Sequence, residues 1–582
     1  MAELGCYRAL QFRNDACENF AELNPPLIES INVPKDTLHE SGALVKSHQL
    51  ASYFWSKQHQ DNADDGIGHF DRGGLVHAVG MALRISNPPS FGAMVVPSEL
   101  KAWVGSVPSM SDSDRGYRES VVSGFAQDFL RVTSRLTVNA GLRYDFYSNP
   151  TEVHGRLSVI RNPATDSGPT VGKVFAGTPV DLLSPQVGFA WNIFGDGKTM
   201  LRGGAGIFRD QLPVLLFGVD RFLAPFFGID SFVFPSFLNP QNAVLRQPLY
   251  VLSTTYYPKF PYALQYNLNL QREIASGTIL SAGYFGARGN HLLREAEQNP
   301  FEPALGHRYN PNLPSPLLAV LTDAQSFYNS FQLSVSKRYA HSISWQAFYS
   351  FSHSVDDAST NFSIESVNEP PTSQDIFNRK GSRGRSGFDI RHNFVANVVY
   401  ELPFGRGSHF GDWQISAVAS VHSNAPFTPV LASDNADLRS LLTSERPDLA
   451  GSPYTGACPN GIRVGTPSCW FNPNAFALPP GQFGNAGRNI LRGPGFAQFD
   501  LALQKGFQLT EGRKITFGAE AYNLFNHPNF AVPSNTQSPL TLGGNGDAVF
   551  ADATGSFANN VGRIFTTVGT GRQVQLDARF TF

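Results

Sequence analysis

The sequence predicts an all-β chain that crosses a membrane as an antiparallel β-barrel with long extracellular loops. Three observations predict this fold: the composition, a strict alternation of apolar and polar residues, and an alternation of short and long connections. Charged residues make up 16% of the 582 residues, against roughly 25% in ordinary soluble proteins. Gly (54), Pro (40) and Phe (47) are abundant. This composition favours strands and loops over helices.

The final segment, "QVQLDARFTF", shows the alternation most clearly. Its odd and even positions separate into one apolar and one polar face. An unpaired apolar strand at the end of a soluble sheet would promote aggregation, whereas a closed barrel in a membrane avoids that problem. The same pattern occurs in "RLTVNAGLRYDFY", "SISWQAFYSFSHS" and "DWQISAVASVHS". Each segment has about the ten residues that a tilted strand needs to cross a bilayer.

The connections between these segments alternate in length. Tight turns are predicted at 132–135, 195–198, 275–278, 339–342, 404–411 and 510–513, because these positions are rich in Gly, Ser and charged residues. Long irregular segments are predicted at 148–184, 210–262, 288–327, 354–388, 423–495 and 526–571. Short turns on one rim and long loops on the other are typical of outer-membrane barrels. Counting in this way gives roughly 13 to 14 strands.

Other classes of protein fit less well. A soluble propeller or a stack of sandwiches would also contain many short strands, but long loops without structure of their own are rare in compact soluble domains. The sequence contains no run of about 18 or more apolar residues, so no transmembrane helix is predicted. The formal net charge of −2 gives no sign of nucleic-acid binding.

Six ordered segments resemble Oar-like TonB-dependent outer-membrane receptors, a family abundant in Acidobacteria. They include "SPQVGFAWNIFGDGKTMLRGGAGIF", "FDIRHNFVANVVYELPFGRG" and "AEAYNLFNHPNF", and the resemblance covers about 115–582. It implies a transporter in the outer membrane of a Gram-negative-type bacterium, in contact with lipid and energised by the TonB complex. It also implies that the last strand, with Phe580 and Phe582, is read by the barrel-assembly machinery and closes against the first strand.

Residues 1–114 do not resemble the barrel of this family, so the predicted domains are an unassigned segment at 1–114 and a barrel at 115–582. Members of the family have about 22 strands, a plug, a TonB box and a signal peptide. None of these upstream parts is recognisable, which predicts a fragment or a start site inside a longer gene. The segment "GGLVHAVGMALRI" is either one strand or a short soluble segment.

Motifs for catalysis and cofactors are weak, and we predict neither an enzyme nor a cofactor. "FGDGKT" ends like a phosphate-binding loop, but Asn192 stands where that loop needs a glycine, so a hairpin turn is predicted. Asp356 and Asp357 lack the spacing of a calcium loop and are predicted to lie on a solvated rim. Five histidines show no zinc-type spacing: His341, His353, His392, His422 and His527. No metal site is predicted.

Two cysteines, Cys458 and Cys469, lie in the fifth long segment. In an oxidising exterior they would form a disulfide, and the alternative is two unrelated thiols. Inward polar residues are expected to line a wet lumen: Gln332, Gln346, Gln414, Gln575 and Arg579. The predicted function is energised uptake of a bulky nutrient, either an oligosaccharide or a metal chelate. A barrel-anchored adhesion protein and a passive pore are the alternatives.

Overall fold

The computed structural model describes residues 104–105, 115–212, 216, 218–227, 229–233, 244–246, 251–359, 373–405, 411–440, 445–459, 461–510, 512–533 and 547–582. The segment 73–85 and almost all of the predicted domain 1–114 lie outside these residues.

In the described part of the chain, thirteen strands form one continuous antiparallel path in which each strand pairs with the next one in sequence. This number agrees with the count expected from the alternation and confirms the all-β fold. The strands are β1 Val121–Arg131, β2 Leu136–Tyr147, β3 Leu183–Asn192, β4 Thr199–Arg209, β5 Tyr262–Ala275, β6 Thr278–Glu297, β7 Leu317–Ala340, β8 Ile343–Asp356, β9 His392–Glu401, β10 Trp413–His422, β11 Phe496–Thr510, β12 Arg513–Tyr522 and β13 Gln573–Thr581. Val251–Thr254 beside β7, in parallel orientation, and Gly384–Arg385 beside β8 bring this sheet to fifteen strands.

The six predicted turns join β1 to β2, β3 to β4, β5 to β6, β7 to β8, β9 to β10 and β11 to β12. The β3–β4 turn contains "FGDGKT" and is a hairpin turn, as predicted. Asn192 Oδ1 accepts hydrogen bonds from the N–H groups of Gly195 (2.9 Å) and Gly197 (3.3 Å). Both glycines have positive φ angles, 79° and 74°, which side chains disfavour. The sequence that resembled a phosphate loop therefore closes a hairpin.

The strand register separates the sheet into one apolar and one polar face. Phe331 of β7 lies opposite Phe351 of β8, and Gln332 lies opposite Ser350. Directly opposed residues of an antiparallel pair point to the same side of the sheet. The apolar face is exposed at large side chains such as Phe331 (46%) and Leu576 (79%), as expected of a surface that lipid covers.

Strands β6 and β7 are much longer than a membrane crossing requires. They contain 20 and 24 residues, whereas a tilted strand spans the bilayer with about 9–11. Their extra length lies away from the short turn at 341–342, and its residues become buried, as at Ala296 (0%) and Leu317 (0%). The irregular segment predicted over 288–327 is therefore shorter, at 298–316, because the β6–β7 ladder continues beyond the bilayer into the loops.

We name the long connections loop A (148–182), loop B (210–261), loop C (298–316), loop D (357–391), loop E (423–495) and loop F (523–572). They contain short strands at Thr151–Glu152, Ser158–Val159, Thr170–Val171, Ile229–Val233, Val244–Arg246, Phe301–Glu302, His307–Arg308, Pro426–Phe427, Pro429–Leu431, Asp448–Leu449, Phe476–Ala477, Leu491–Arg492 and Asp547–Phe550, and 3-10 turns at Val219–Phe222, Arg379–Ser382 and Pro473–Ala475. Outside the loops and the main sheet lie Val104–Gly105 and Tyr117–Arg118.

The buried apolar cores lie mainly in the loops. One core joins loops A and B around Phe175, Leu216 and Phe260. A second core joins loops E and F around Phe427, Phe471 and Val549. The expectation that the long loops lack structure of their own is therefore wrong: each pair of loops buries apolar side chains that neither could bury alone.

Within the described residues, the sheet ends at two unpaired edges. β1 pairs with β2, and β13 pairs with β12, and no pairing joins β1 to β13. Closure of the last strand against the first strand of a complete barrel stays a prediction. No helix among the described residues has the length and apolar character needed to cross a membrane.

Candidate ligand-binding site among the long loops

The five residues that were predicted to line a lumen lie on the polar face of the sheet. Gln332 shares that face with Gln346 through the β7–β8 register, and Gln414 follows through β9. At the far edge of the sheet, Gln575 lies opposite Glu520 and Arg579 lies opposite Thr516. The β10–β11 and β11–β12 registers place Glu520 and Thr516 on the same face as Gln414. The lumen itself stays a prediction.

The two terminal phenylalanines lie on the apolar side. Phe580 is opposite Ile515, and its ring stacks on that of Phe582 with centroids 5.9 Å apart. Phe582 is 91% exposed. Their recognition by the assembly machinery stays a prediction.

Cys458 and Cys469 lie together in loop E, with their Sγ atoms 2.00 Å apart and their Cα atoms 6.1 Å apart. Both are buried. Cys458 Sγ lies 3.4 Å from the carbonyl oxygen of Phe471, a central residue of the core between loops E and F. Both cysteines therefore lie against that core.

Asp356 and Asp357 are buried, with 2% and 7% exposure, so the prediction of a solvated rim is wrong. Asp356 is paired with Arg488 of loop E, whose guanidinium also donates to the backbone carbonyl of Ser382 (2.7 Å). Asp357 accepts from Arg379 of loop D at 2.6 Å. Asp356 thus joins the end of β8 to loop E, and Asp357 forms an ion pair within loop D, because burying carboxylates requires partners of opposite charge.

A second ion-pair group lies beside the first. Arg294 of β6 holds Asp323 of β7 with two parallel hydrogen bonds of 2.6 and 2.9 Å. A third donor of Arg294 reaches Ser373 Oγ in loop D at 3.0 Å. Bidentate pairs of this kind fix geometry as well as charge. The long β6–β7 ladder is thereby attached to loop D.

A cavity of about 300 Å³ lies between loops C, D and E, with Ser373, the partner of Arg294, in its wall. Its wall is formed by Glu297, Pro300, Phe301, Glu302, Pro303, Ala304, Ser373, Gln374, Asp375, Ile376, Phe377, Ala436, Leu438, Ser440, Gly481, Gln482 and Phe483. Its volume is at the lower end of small-molecule sites, which are typically apolar with a few polar groups. A small ligand, or one end of a larger ligand, would fit.

Hydrogen bonds to loop C fix the loop E part of this wall. The N–H of Phe301 donates to the carbonyl oxygen of Leu438 (3.0 Å), and Arg308 donates to that of Arg439 (2.8 Å). Ser440 Oγ donates to Glu297 Oε2 at 3.0 Å. Loop C and Glu297 at the end of β6 therefore both hold this wall segment by hydrogen bonds.

A buried carboxyl group also contacts the loop E part of the cavity wall. Glu445 is 0% exposed, and its Oε2 accepts from the N–H of Ala436 at 2.9 Å. Burial, with a further contribution from the Asp434 carboxyl, raises the pKa of Glu445 to about 8. Glu445 is therefore mainly protonated at neutral pH, although the hydrogen bond from Ala436 by itself favours the charged carboxylate.

The five histidines lie at turns, strand ends or loops, as expected from the sequence. His341 is in the β7–β8 turn and His527 is in loop F, whereas His353, His392 and His422 lie near the loop-side ends of the neighbouring strands β8, β9 and β10. In the described part of the chain, no group of three or more His, Cys, Asp or Glu side chains is placed to hold a metal ion.

Sequence reasoning did not find the cavity. Its walls come from three loops separated by up to about 190 residues along the chain, and loop pairing of this range leaves no local periodicity to detect. The one available signal was the concentration of Pro, Phe and acidic residues in "NPFEPA" and "SQDIF".

A family model described as an outer membrane beta barrel domain matches residues 104–575. Among solved structures, the chain is similar to the outer membrane transporter YddB from Escherichia coli (TM-score 0.41, 12% identity, 83% of this chain and 50% of that one). It is also similar to the FrpB iron transporter from Neisseria meningitidis (0.40, 12%, 81% and 46%) and to the siderophore receptor PiuA from Acinetobacter baumannii (0.40, 10%, 80% and 43%).

This chain matches about half the length of these solved structures, or less. No curated protein matches its sequence.

Proposed function

We propose that this chain, which belongs to the outer membrane β-barrel domain family and lies in the outer membrane, is the barrel portion of a TonB-dependent receptor that imports a bulky nutrient. The match over 104–575 supports the outer-membrane barrel part of the proposal. The six segments that resemble Oar-like receptors support the subtype. The partners are outer-membrane lipid, the TonB complex, the barrel-assembly machinery and a nutrient.

The packed loops favour a receptor over a simple pore. A buried ion pair joins the end of β8 to loop E, hydrogen bonds join loop C to loop E, and loops C, D and E enclose a cavity. A pore needs a wet lumen but no such organised pocket. The proposed role of the loops is therefore to capture the nutrient before it passes the barrel. No catalytic step is part of this proposal.

The proposed receptor is longer than this chain. Thirteen strands with two unpaired edges contrast with the 22 strands of large outer-membrane transporters. The in-frame genomic DNA upstream of Met1 should then encode further strands, a plug and a signal peptide. A stop codon and a promoter directly before Met1 would contradict this part of the proposal.

Uptake in the source bacterium tests the function. A strain that lacks the gene should lose accumulation of a labelled oligosaccharide or a labelled ferric chelate, and the gene should restore it. Because TonB-dependent import consumes the proton-motive force, a protonophore should abolish the restored uptake. Uptake that persists with the protonophore would instead identify a passive pore.

A barrel-anchored adhesion protein is the remaining alternative. In that case the deletion strain would accumulate both nutrients normally but would bind less well to surfaces. Liposome swelling with the refolded chain separates the pore from the anchor, since an anchor permits no sugar flux.

A further inference from the structure

We propose that the cavity between loops C, D and E binds the end of a neutral oligosaccharide. This inference rests on the proposed function, because it names the ligand class of the same receptor. Three features of the cavity carry it: its charge, its aromatic surface and the hydrogen-bonding groups along its wall.

The charge of the wall disfavours anionic ligands. The ionisable side chains among its described lining residues are all acidic: Glu297, Glu302 and Asp375. The neighbouring Arg308 directs its donors at the backbone carbonyls of loops C and E, including those of Pro314 (3.1 Å) and Asn299 (3.0 Å). Like charges brought together in a partly desolvated site repel. Arg439, which covers the ring of Phe301, is paired with Asp437 at 3.1 Å, so an anionic metal chelate would meet mainly carboxylates.

An exposed aromatic pair provides apolar surface at the cavity. Phe377 of loop D packs against Tyr309 of loop C with ring centroids 5.0 Å apart and planes 56° apart. Even so, Phe377 is 59% exposed and Tyr309 is 45% exposed. Aromatic rings gain by covering apolar faces, and the C–H face of a pyranose ring is such a surface. By contrast, the ring of Phe301 is covered by Arg439, 3.5 Å from its centroid.

The polar groups around the aromatic pair match hydroxyl groups. Asp375 uses Oδ1 to accept from the N–H of Phe377 at 2.8 Å, which fixes the carboxylate beside the ring. Glu302 adds a second carboxylate, and Gln482 adds an exposed amide. A sugar hydroxyl both donates and accepts, so it can donate to a carboxylate and accept from an amide. A purely cationic ligand would not use the amide donor.

Binding to the full chain in nanodiscs, measured by calorimetry, tests the inference. The probes are cellohexaose, xylohexaose, mannohexaose and maltohexaose, with hexagalacturonate and ferric citrate as anionic probes and chitosan hexamer as a cationic one. At least one neutral hexaose should bind, and Phe377→Ala should weaken its binding by about tenfold. Phe377→Tyr should restore binding.

The matched control is Phe388→Ala, because Phe388 is an exposed phenylalanine of loop D that does not line the cavity. It should leave binding unchanged. The inference is overturned if an anionic or cationic probe binds more tightly than every neutral hexaose, if folded protein binds none of the neutral probes, or if Phe377→Ala and Phe388→Ala behave alike.

These outcomes are separable from those of the uptake experiment. Energised uptake of a ferric chelate without binding of a neutral hexaose would sustain the proposed function and overturn this inference. Binding of a hexaose that depends on Phe377, without energised uptake, would sustain this inference and overturn the proposed function.

Discussion

At the residue scale, the loops depend on a few buried polar side chains. Glu445 is one example. Its carboxyl accepts a backbone hydrogen bond from the cavity wall, but its burial leaves no room for water to hydrate a negative charge. Because burial disfavours the charged form, the pKa of Glu445 rises from 4.5 to about 8. The group therefore binds a proton more tightly when loop E is folded than when it is open.

This shift makes the stability of loop E depend on pH. The contribution of the protonated carboxyl is fully present below about pH 4.5 and is lost as the pH rises toward 8. Glu445→Gln mimics the neutral carboxyl and should remove this dependence. Hydrogen exchange of 429–449, corrected for intrinsic rates, measures it between pH 5 and 8. Asp437→Asn, at an exposed carboxylate of the same segment, is the control. Equal pH dependence in wild type and Glu445→Gln would contradict the assignment.

The cysteine pair gives a second prediction at this scale. Replacing both Cys458 and Cys469 with serine releases the short loop between them, which we expect to cost about 3 kcal/mol of local stability. Hydrogen exchange should accelerate over 457–470 and stay unchanged in β13. Uniform acceleration across the chain would contradict a purely local role.

The buried ion pair of Asp356 and Arg488 gives a third prediction at the residue scale. Arg488→Met leaves the Asp356 carboxylate without its partner, which we expect to cost about 3–5 kcal/mol. Limited proteolysis should then cut loops D and E faster, and adding Asp356→Asn should restore part of the resistance. Arg563→Met, at an exposed arginine of loop F, is the control. Equal protection in Arg488→Met and the control would contradict the structural role of the pair.

At the element scale, the strands were the part most readily predicted from sequence. Alternation is a local property, and it located β2, β8 and β10 within one or two residues. It also placed Gln575 and Leu576 on opposite faces, as the β12–β13 register shows. The loops were mispredicted because their order depends on contacts between distant segments: Phe427 and Phe471 pack against Val549 of another loop.

The faces of β13 lead to a prediction. Leu576 is 79% exposed on the apolar face, so Leu576→Arg places a charge in lipid and should cost roughly 2–4 kcal/mol near the bilayer midplane. Gln575→Arg, one residue away on the polar face, should cost little. Folding yield into bilayers, read from the heat-modifiable band on gels, compares the two. Equal yields would contradict the assigned faces.

At the scale of the whole molecule, the chain divides into an outer-membrane sheet and a set of packed loops. The sheet has few buried side chains because lipid covers one face, whereas the loops bury phenylalanines and ion pairs as a soluble domain does. Sequence reasoning reached the first part through period-two alternation. It could not find the cavity, because Phe377 and Tyr309 meet only when loops C and D are packed.

The assignment of one face to lipid and the other to water is tested most directly by spin labels at successive positions 331–336 of β7. Each label is introduced as a cysteine in the full chain, with Cys6 and Cys17 replaced by serine, and the protein is reconstituted in bilayers. Relaxation by oxygen, which concentrates in lipid, should be strong at 331, 333 and 335. Relaxation by a water-soluble nickel chelate should be strong at 332, 334 and 336. Equal accessibility along the strand, or the opposite alternation, would contradict the account.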